Sequence, residues 1–307
     1  MQKLKVAAIQ LDAELGQVDR NLLQALDLVR KAAEHGAKLI VLPEFFTSSM
    51  ALNPVMEEAA RKNLELDVPG RLEDAARRHG CTIAGSYLRI ANGEIYNTMH
   101  LQFPDGRRFF HNKDMPTQFE GRYYTSGDNC RCAEGIGLAL CWEMLRTQTI
   151  RQMPIDVTVV AAGSCWWDVA RDTPGSGLRD YNHELNRDTP SRFAKLLGVP
   201  VVHAAHVGKV AGVPSPLDGS VVTRQLIGIT QIVDHAGRVQ NHLEIADGSE
   251  VLVDDVELVQ GSRVELPAGF WTVELRQEYL DAWNRQNPLA REYYLANRRQ
   301  MIGEVST

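Results

Sequence analysis

Apolar residues dominate positions 4–11, Leu-Lys-Val-Ala-Ala-Ile-Gln-Leu, and predict a strand at the start of the chain. Leu22, Leu26, Val29 and Ala33 then recur at three- and four-residue spacing, the period of one helix face. Asp19 or Asn21 is placed to cap that helix, and His35-Gly36 to end it. Leu39 to Leu42 is wholly apolar, as in strands covered on both faces. The result is a strand–helix–strand unit, with Glu44 just past the carboxyl end of its last strand. Sites in open α/β sheets are usually built at that end.

The pattern continues with a helix over 71–79, ended by Gly80, and strands over 81–90 and 94–103. Asn92-Gly93 between those strands is a strong hairpin signal. After the Pro104-Asp105-Gly106 turn, a third strand runs into Lys113. Strand 136–140, helix 142–152 and strand 156–161 form a second strand–helix–strand unit, this one around Cys141. A helix over 189–197, a strand over 199–207, a hairpin turning at His235-Ala236-Gly237 and a strand over 250–258 follow. The tail, 275–300, reads as helical around Leu280, Trp283 and Tyr293-Tyr294, with Pro288 interrupting it. Segments 45–60, 117–130 and 164–185 read as loops. Helices interleaved with strands and hairpins predict an α/β fold of helices covering mixed sheets. The organisation expected is one domain over 1–270 and a helical tail over 271–307 that packs on the domain or on a partner subunit.

Composition narrows the function classes. The 307 residues are 44% hydrophobic and 23% charged, with a net charge of -6, a soluble globular balance. No basic face is evident, which argues against a nucleic-acid partner. No stretch reaches the roughly 18 apolar residues of a membrane helix, and no leader pattern opens the chain, so the expected location is the cytoplasm. Five cysteines, an odd number, do not form a disulfide framework. Cys130-Arg131-Cys132 has one intervening residue, too few for a zinc knuckle.

Three residues stand at comparable places: Glu44 after a strand, Lys113 after a strand, and Cys141 at a strand-to-helix junction. The positive end of a helix would favour the thiolate of Cys141. Taken singly, each has an ordinary explanation: a cap, a surface lysine, an inert buried thiol. Taken together they divide one chemistry. A thiol needs a base before it attacks a carbonyl or nitrile carbon, and Glu44 can take that proton and return it to the departing nitrogen. Lys113, with the Trp142 N–H, can stabilise the developing negative charge. None of these steps needs a metal or a cofactor.

Leu42-Pro43-Glu44-Phe45-Phe46, Lys113-Asp114-Met115-Pro116-Thr117 and Leu140-Cys141-Trp142-Glu143 resemble, in order, the three signature segments of the nitrilase superfamily of carbon–nitrogen hydrolases. The resemblance runs over roughly 4–260, including Gly219-Ser220 and the segment from Asp234 to Gly237. It implies a four-layer αββα sandwich, homodimers or larger homo-oligomers formed through the helical faces, and a second glutamate between lysine and cysteine. Glu120 matches that position, where a carboxylate positions Lys113 and keeps it protonated.

The branch is mixed. Pro116-Thr117, Gly127-Asp128 and Cys141-Trp142-Glu143 resemble true nitrilases, whereas Phe45-Phe46-Thr47-Ser48-Ser49 does not. Glu143-Met144-Leu145-Arg146-Thr147 also departs from the Asp and Arg-Phe-Pro-Glu run of many superfamily amidases. The leading expectation is hydrolysis of a small amide or carbamoyl compound through a thioester on Cys141. The alternatives are a nitrilase working through a thioimidate and a catalytically silent binding protein. Trp166 and Trp167 either line the pocket or serve packing and subunit contacts. His203 and His206 sit three apart on a strand, hence on opposite faces, and read as core histidines rather than metal ligands. Asp168, Arg171, Asp172 and Arg179 either meet a charged substrate end or are simply solvated.

Overall fold

The computed structural model describes residues 2–127, 130–169, 177–214, 221–262 and 264–303. Asp128, Arg171, Asp172, Gly219 and Ser220 lie outside the described residues. The strands are β1 Lys3–Leu11, β2 Leu39–Val41, β3 Thr82–Ala91, β4 Glu94–Gln102, β5 Arg108–Asn112, β6 Cys132–Ala133, β7 Ile136–Leu140 and β8 Val159–Ser164. They continue with β9 Val201–His206, β10 Lys209–Pro214, β11 Val221–Gln225, β12 Gln231–Val233, β13 Val239–His242 and β14 Glu250–Glu257. The helices are α1 Val18–Glu34, α2 Met56–Glu65, α3 Val68–His79, α4 Thr147–Gln152, α5 Leu178–Leu197 and α6 Gln277–Ile302.

Side-chain alternation along the strands creates the layers. On β1 to β3, Ile9, Ile40 and Ile83 pack outward under Leu22 and Leu28 of α1 and Leu72 of α3. The opposite faces carry Val6, Ala8, Leu39, Val41 and Ala84. They meet Leu138, Leu140, Val159, Ala161, Val202 and Ala204 of β7 to β9 in a dry seam between the sheets. On the far side, Ala139, Val160 and Val201 are covered by Ile150 of α4 and by Phe193 and Leu197 of α5. The fold is therefore the expected four-layer αββα arrangement.

The two sheets form one hydrogen-bonded path, β5-β4-β3-β2-β1-β9-β8-β7-β6. β1 is the crossing point: Val6–Ala8 pair with β2, then Gln10 and Leu11 pair with β9. β2 runs parallel to β3, and β5 has the same direction because β3, β4 and β5 alternate. β7, β8 and β9 are mutually parallel, and β9 is parallel to β1. The carboxyl ends of β2, β5, β7 and β8 consequently converge. Glu44, Lys113, Cys141 and Cys165 follow those four ends.

The Asn92-Gly93 turn is as expected, with both residues at positive φ (52° and 73°). Several expectations need correction. No side chain caps α1: Gln17 occupies its N-cap, while Asn21 bonds Glu14 O and Thr47 O, tying the first loop to the segment after Glu44. Segment 45–60 is not all loop, because α2 begins at Met56 and buries Met56, Ala59, Ala60 and Asn63. The helix expected over 142–152 is two pieces: a 3₁₀ turn over Cys141–Leu145, then α4, parted by extended Arg146. The helix expected from 189 starts at Leu178 and runs through Pro190. The strand expected at 156–161 is shifted to Val159–Ser164.

Pro288 does not interrupt the tail either; α6 is continuous across it. A proline inside a helix costs roughly 3 kcal/mol, so packing must hold both halves. Before it, Trp283 stacks on Trp142 with ring centroids 5.7 Å apart. Beyond it, buried Tyr294 accepts from Ile95 N at 2.8 Å and donates to Glu94 at 2.7 Å. Tyr293 donates to Glu57 at 2.6 Å, and the Arg122 guanidinium sits 3.6 Å above its ring. The tail aromatics thus pack on their own chain. Tyr294→Ala is expected to reduce unfolding free energy by about 3–5 kcal/mol in urea titrations, as for a buried aromatic truncated in a core.

Candidate active site

The carboxylate that ends the β2 segment is fully buried and held at every oxygen. Glu44 Oε1 accepts from Lys113 Nζ at 2.9 Å and Asn97 Nδ2 at 2.8 Å; Oε2 accepts from the Cys165 N–H at 3.1 Å. Its backbone carbonyl lies 2.8 Å from His206 Nε2. Ser86 Oγ fixes the amide orientation of Asn97 at 2.8 Å. The neighbouring strand comes so close that a Cβ at Gly163 would lie 2.7 Å from Glu44 N. Only glycine allows β8 to pass there.

Lys113 is also fully buried, and its Nζ donates to Glu120 Oε2 at 2.9 Å as well as to Glu44. Glu120 in turn accepts from Tyr124 Oη and from Thr117 N at 3.3 Å. Burial pushes the Lys113 ammonium toward neutrality, but Glu120 and Glu44 outweigh it and hold its pKa well above the ordinary 10.5. One cation thus serves two carboxylates in a dry site, so the cluster binds one proton readily. Burial raises Glu44 to about 7; Lys113 opposes that rise and Glu120 reinforces it.

Cys141, 3% exposed, shares this environment and lies within electrostatic reach of Lys113, Glu44 and Glu120. The thiolate expected from a helix end is not favoured. Burial pushes the thiol well above its ordinary 9.0; Glu44 adds to the rise, Lys113 opposes it, and Glu120 adds again. The helix involved is a five-residue 3₁₀ turn, which offers only a small dipole. Cys141 itself adopts φ of 49°, Phe45 beside Glu44 adopts 55°, and Gln118 near Glu120 adopts 55°. Left-handed backbone at non-glycine residues costs on the order of 1–2 kcal/mol, and such strain concentrates at functional sites.

A second buried network braces the loop from below. Glu143, fully buried, accepts from Leu140 N (2.8 Å), Asp114 N (3.0 Å) and Arg131 Nη1 (2.8 Å), with His111 Nε2 at 3.0 Å. Arg131 Nη2 reaches Asp114 at 2.6 Å, and Arg146 pairs with the other Asp114 oxygen. Arg146 Nε donates to Trp142 O at 3.1 Å. Bonds at Leu140 and Trp142 therefore bracket Cys141, and bonds at Asp114 fix the residue after Lys113.

The cavity above the thiol has a volume of about 320 Å³. Glu120, Cys141, Trp142, Trp166 and Trp167 line it, so both members of the tryptophan pair face the pocket. Trp166 Nε1 donates to Asn182 at 2.9 Å, and Trp167 stacks on Phe119 at 4.4 Å. Glu278, Tyr279, Ala282 and Gln286 of α6 form one wall. His203 and His206 have separate partners, Ser164 Oγ and Ile229 O against Glu44 O and Leu11 O. No group of three or more His, Cys, Asp or Glu among the described residues is arranged around a metal position. No described helix is long and apolar enough to cross a membrane.

The carbon–nitrogen hydrolase family model matches residues 5–263. The chain belongs to that family. The omega-amidase of Danio rerio is 34% identical over 111 residues, 34% of this chain and 38% of the relative. The N-carbamoylputrescine amidase of Solanum tuberosum is 29% identical over 164 residues, 49% of this chain and 54% of the relative. These matches span about half or less of the relatives' length. The crystal structure of a carbon–nitrogen hydrolase from Helicobacter pylori G27 superimposes with a TM-score of 0.71 at 16% identity. That superposition covers 99% of this chain and all of the other.

Asn97, Tyr124 and Cys165 are contacts of this candidate site that sequence reasoning does not single out. Asn97 leaves one trace, a buried amide within the β4 run. The Glu143 network generates a stability prediction. Burial would raise Glu143, but His111, Arg131 and Arg146 hold it well below the ordinary 4.5. A depressed carboxyl contributes stability above its unfolded pKa and loses it as pH falls toward the folded one. Glu143→Ala, which leaves buried Arg131 with Asp114 as its one remaining carboxylate partner among the described residues, is expected to cost about 3–5 kcal/mol in denaturant titrations. Glu143→Gln should flatten the loss of Tm as pH drops below 4.5.

Proposed function

We propose that the protein hydrolyses the C–N bond of a small amide or carbamoyl compound through a thioester on Cys141. The observation that carries the reading is the buried Glu44–Lys113–Glu120 cluster beside a buried thiol at the base of the cavity. A protonated thiol needs a base close by, and a carboxyl raised to about 7 has nearly the ideal proton affinity for that task at neutral pH.

In the first half-reaction Glu44 takes the Sγ proton while Sγ attacks the carbonyl carbon. Lys113 spends two of its three N–H donors on Glu44 and Glu120, leaving the third for the developing oxyanion. The Trp142 N–H, in the first turn after the thiol, is the second donor. The C–N bond breaks as Glu44 delivers its proton to nitrogen, and ammonia or amine departs. In the second half-reaction Glu44 removes a proton from water, hydroxide attacks the thioester, the C–S bond breaks, and the thiolate recovers its proton. Glu120 acts through Lys113, holding its position and charge. Trp166 and Trp167 shape the substrate cavity.

The pH dependence has a definite sign. Glu44 must be ionised to start the reaction, so kcat/KM is expected to rise with pH through a midpoint near 7, read as ammonia release on either side of neutrality. Glu44→Gln should remove that limb and slow turnover by roughly 10²- to 10⁴-fold. Cys141→Ala should abolish turnover; retained turnover in that variant would refute the nucleophile. Matched amide and nitrile pairs test the branch. Amide hydrolysis with inert nitriles is expected, and efficient nitrile turnover would replace the thioester with a thioimidate.

A further inference from the structure

The two carboxylate oxygens of Glu44 are not equivalent. Oε1 accepts twice, from Lys113 Nζ at 2.9 Å and from Asn97 Nδ2 at 2.8 Å, whereas Oε2 accepts once, from the Cys165 N–H at 3.1 Å. A carboxylate oxygen has about two lone-pair sites. Oε1 is therefore filled, and the one site left open among the described residues is on Oε2.

The amide that fills Oε1 cannot turn around. Glu44, Ser86 and Asn97 are all fully buried. The Phe45 N–H can only donate, and it lies 3.0 Å from Ser86 Oγ. Ser86 accepts that bond and has a single proton of its own, which goes to Asn97 Oδ1 at 2.8 Å. Nδ2 is left to face the carboxylate, and the reverse orientation would set two acceptors, Oδ1 and Oε1, against each other. The backbone of the same residue holds the other half of the ion pair, because Lys113 N donates to Asn97 O at 2.8 Å. Asn97, in β4 opposite Leu88 of β3, thus positions both the carboxylate and the residue that bears the ammonium.

We propose that Glu44 carries the reaction's proton on Oε2 alone, and that Asn97 is the positioning residue that imposes this. The inference deepens the reading of Glu44 as proton carrier for Cys141 and rests on it. The Sγ proton passes to Oε2 and leaves Oε2 for the departing nitrogen; a proton from water then takes its place and returns to sulfur. Oε1 keeps its two donors throughout, so the ion pair with Lys113 survives each transfer. Other ionisable groups also face Glu44: Lys113, Glu120, Tyr124, the Cys141 and Cys165 thiols, and His206, whose Nε2 lies 2.8 Å from Glu44 O. A change at position 97 leaves all of them in place. A hydrogen bond to the charged form favours that form, so losing the Asn97 N–H raises the proton affinity of Glu44.

The test compares kcat/KM on a good amide across pH for wild type and Asn97→Leu, which has a similar size and no donor. The midpoint should move up by about one pH unit, so the variant loses about tenfold more near pH 6 than near pH 9. An unmoved midpoint, with any loss equal at every pH and a lowered Tm, is what a purely structural asparagine gives, and it overturns the proposal. If the variant does not fold or has no measurable turnover, neutron diffraction from wild-type crystals in D2O, well below the midpoint, decides. A deuteron on Oε2, with the Asn97 amide deuterons toward Oε1, supports the proposal; a deuteron on Oε1 or on neither oxygen, or a reversed amide, overturns it. Wild type that turns over no amide at any pH defeats the Cys141 reading instead, and the neutron map still assigns the oxygen.

Discussion

The ammonium of Lys113, buried without solvent contact, is the interaction on which the site depends. Removing an ion of this size from water costs several kcal/mol even after relaxation, and breaking such a pair costs a further 3–5 kcal/mol or so. The protein offsets this by setting two carboxylates at 2.9 Å from one nitrogen. Two anions around one cation leave an excess of negative charge, but it is burial that chiefly raises the proton affinity of Glu44, with Lys113 opposing the rise and Glu120 adding to it. The cluster is thus a proton store as well as a salt bridge. The same negative charge, added to burial, keeps Cys141 protonated at rest. Glu44 and Cys141, base and nucleophile of the proposed reaction, are tuned by one arrangement.

That arrangement restricts everything around it. Glu44 needs donors on both carboxylate oxygens, which Asn97 and the Cys165 N–H supply from different strands. The sheet must approach closely enough that position 163 bears no side chain. Cys141 must leave β7 in left-handed geometry, and the bonds from Glu143 to Leu140 and from Arg146 to Trp142 hold it there. The charged network below the loop is itself dry. It forms a rigid plate on which the thiol, the lysine and the cavity wall are aligned, while α6 closes the cavity from outside through Trp283 and Tyr279 stacked on Trp142.

Much of this was legible in the sequence, for physical reasons. Buried strands such as Leu39 to Leu42 announce themselves by continuous apolar character, and Glu44, Lys113 and Cys141 each follow a strand end, which is where the sheets deliver residues to one place. Glu120 came only through the family resemblance. What stayed hidden depends on distance in three dimensions. Periodicity does not reveal that Asn97 faces Glu44 or that Arg131 reaches Glu143. The thiol's state was misread because a helix end was expected where a 3₁₀ turn stands, and because desolvation by Glu44's own surroundings has no signature along the chain. Pro288 reads as a break and the helix around Pro190 reads as starting only at 189, yet tertiary packing carries both helices through their prolines.

The account's central claim is a covalent intermediate on Cys141 formed with Glu44 as the proton carrier. Its most direct test is intact-mass analysis of enzyme quenched with acid during turnover of a good amide, with the modified peptide then mapped. The account predicts an added mass equal to the substrate's acyl group, located on Cys141 and absent in Cys141→Ala. Turnover with no acyl adduct under any quench, or an adduct on another residue such as Cys165, would contradict it.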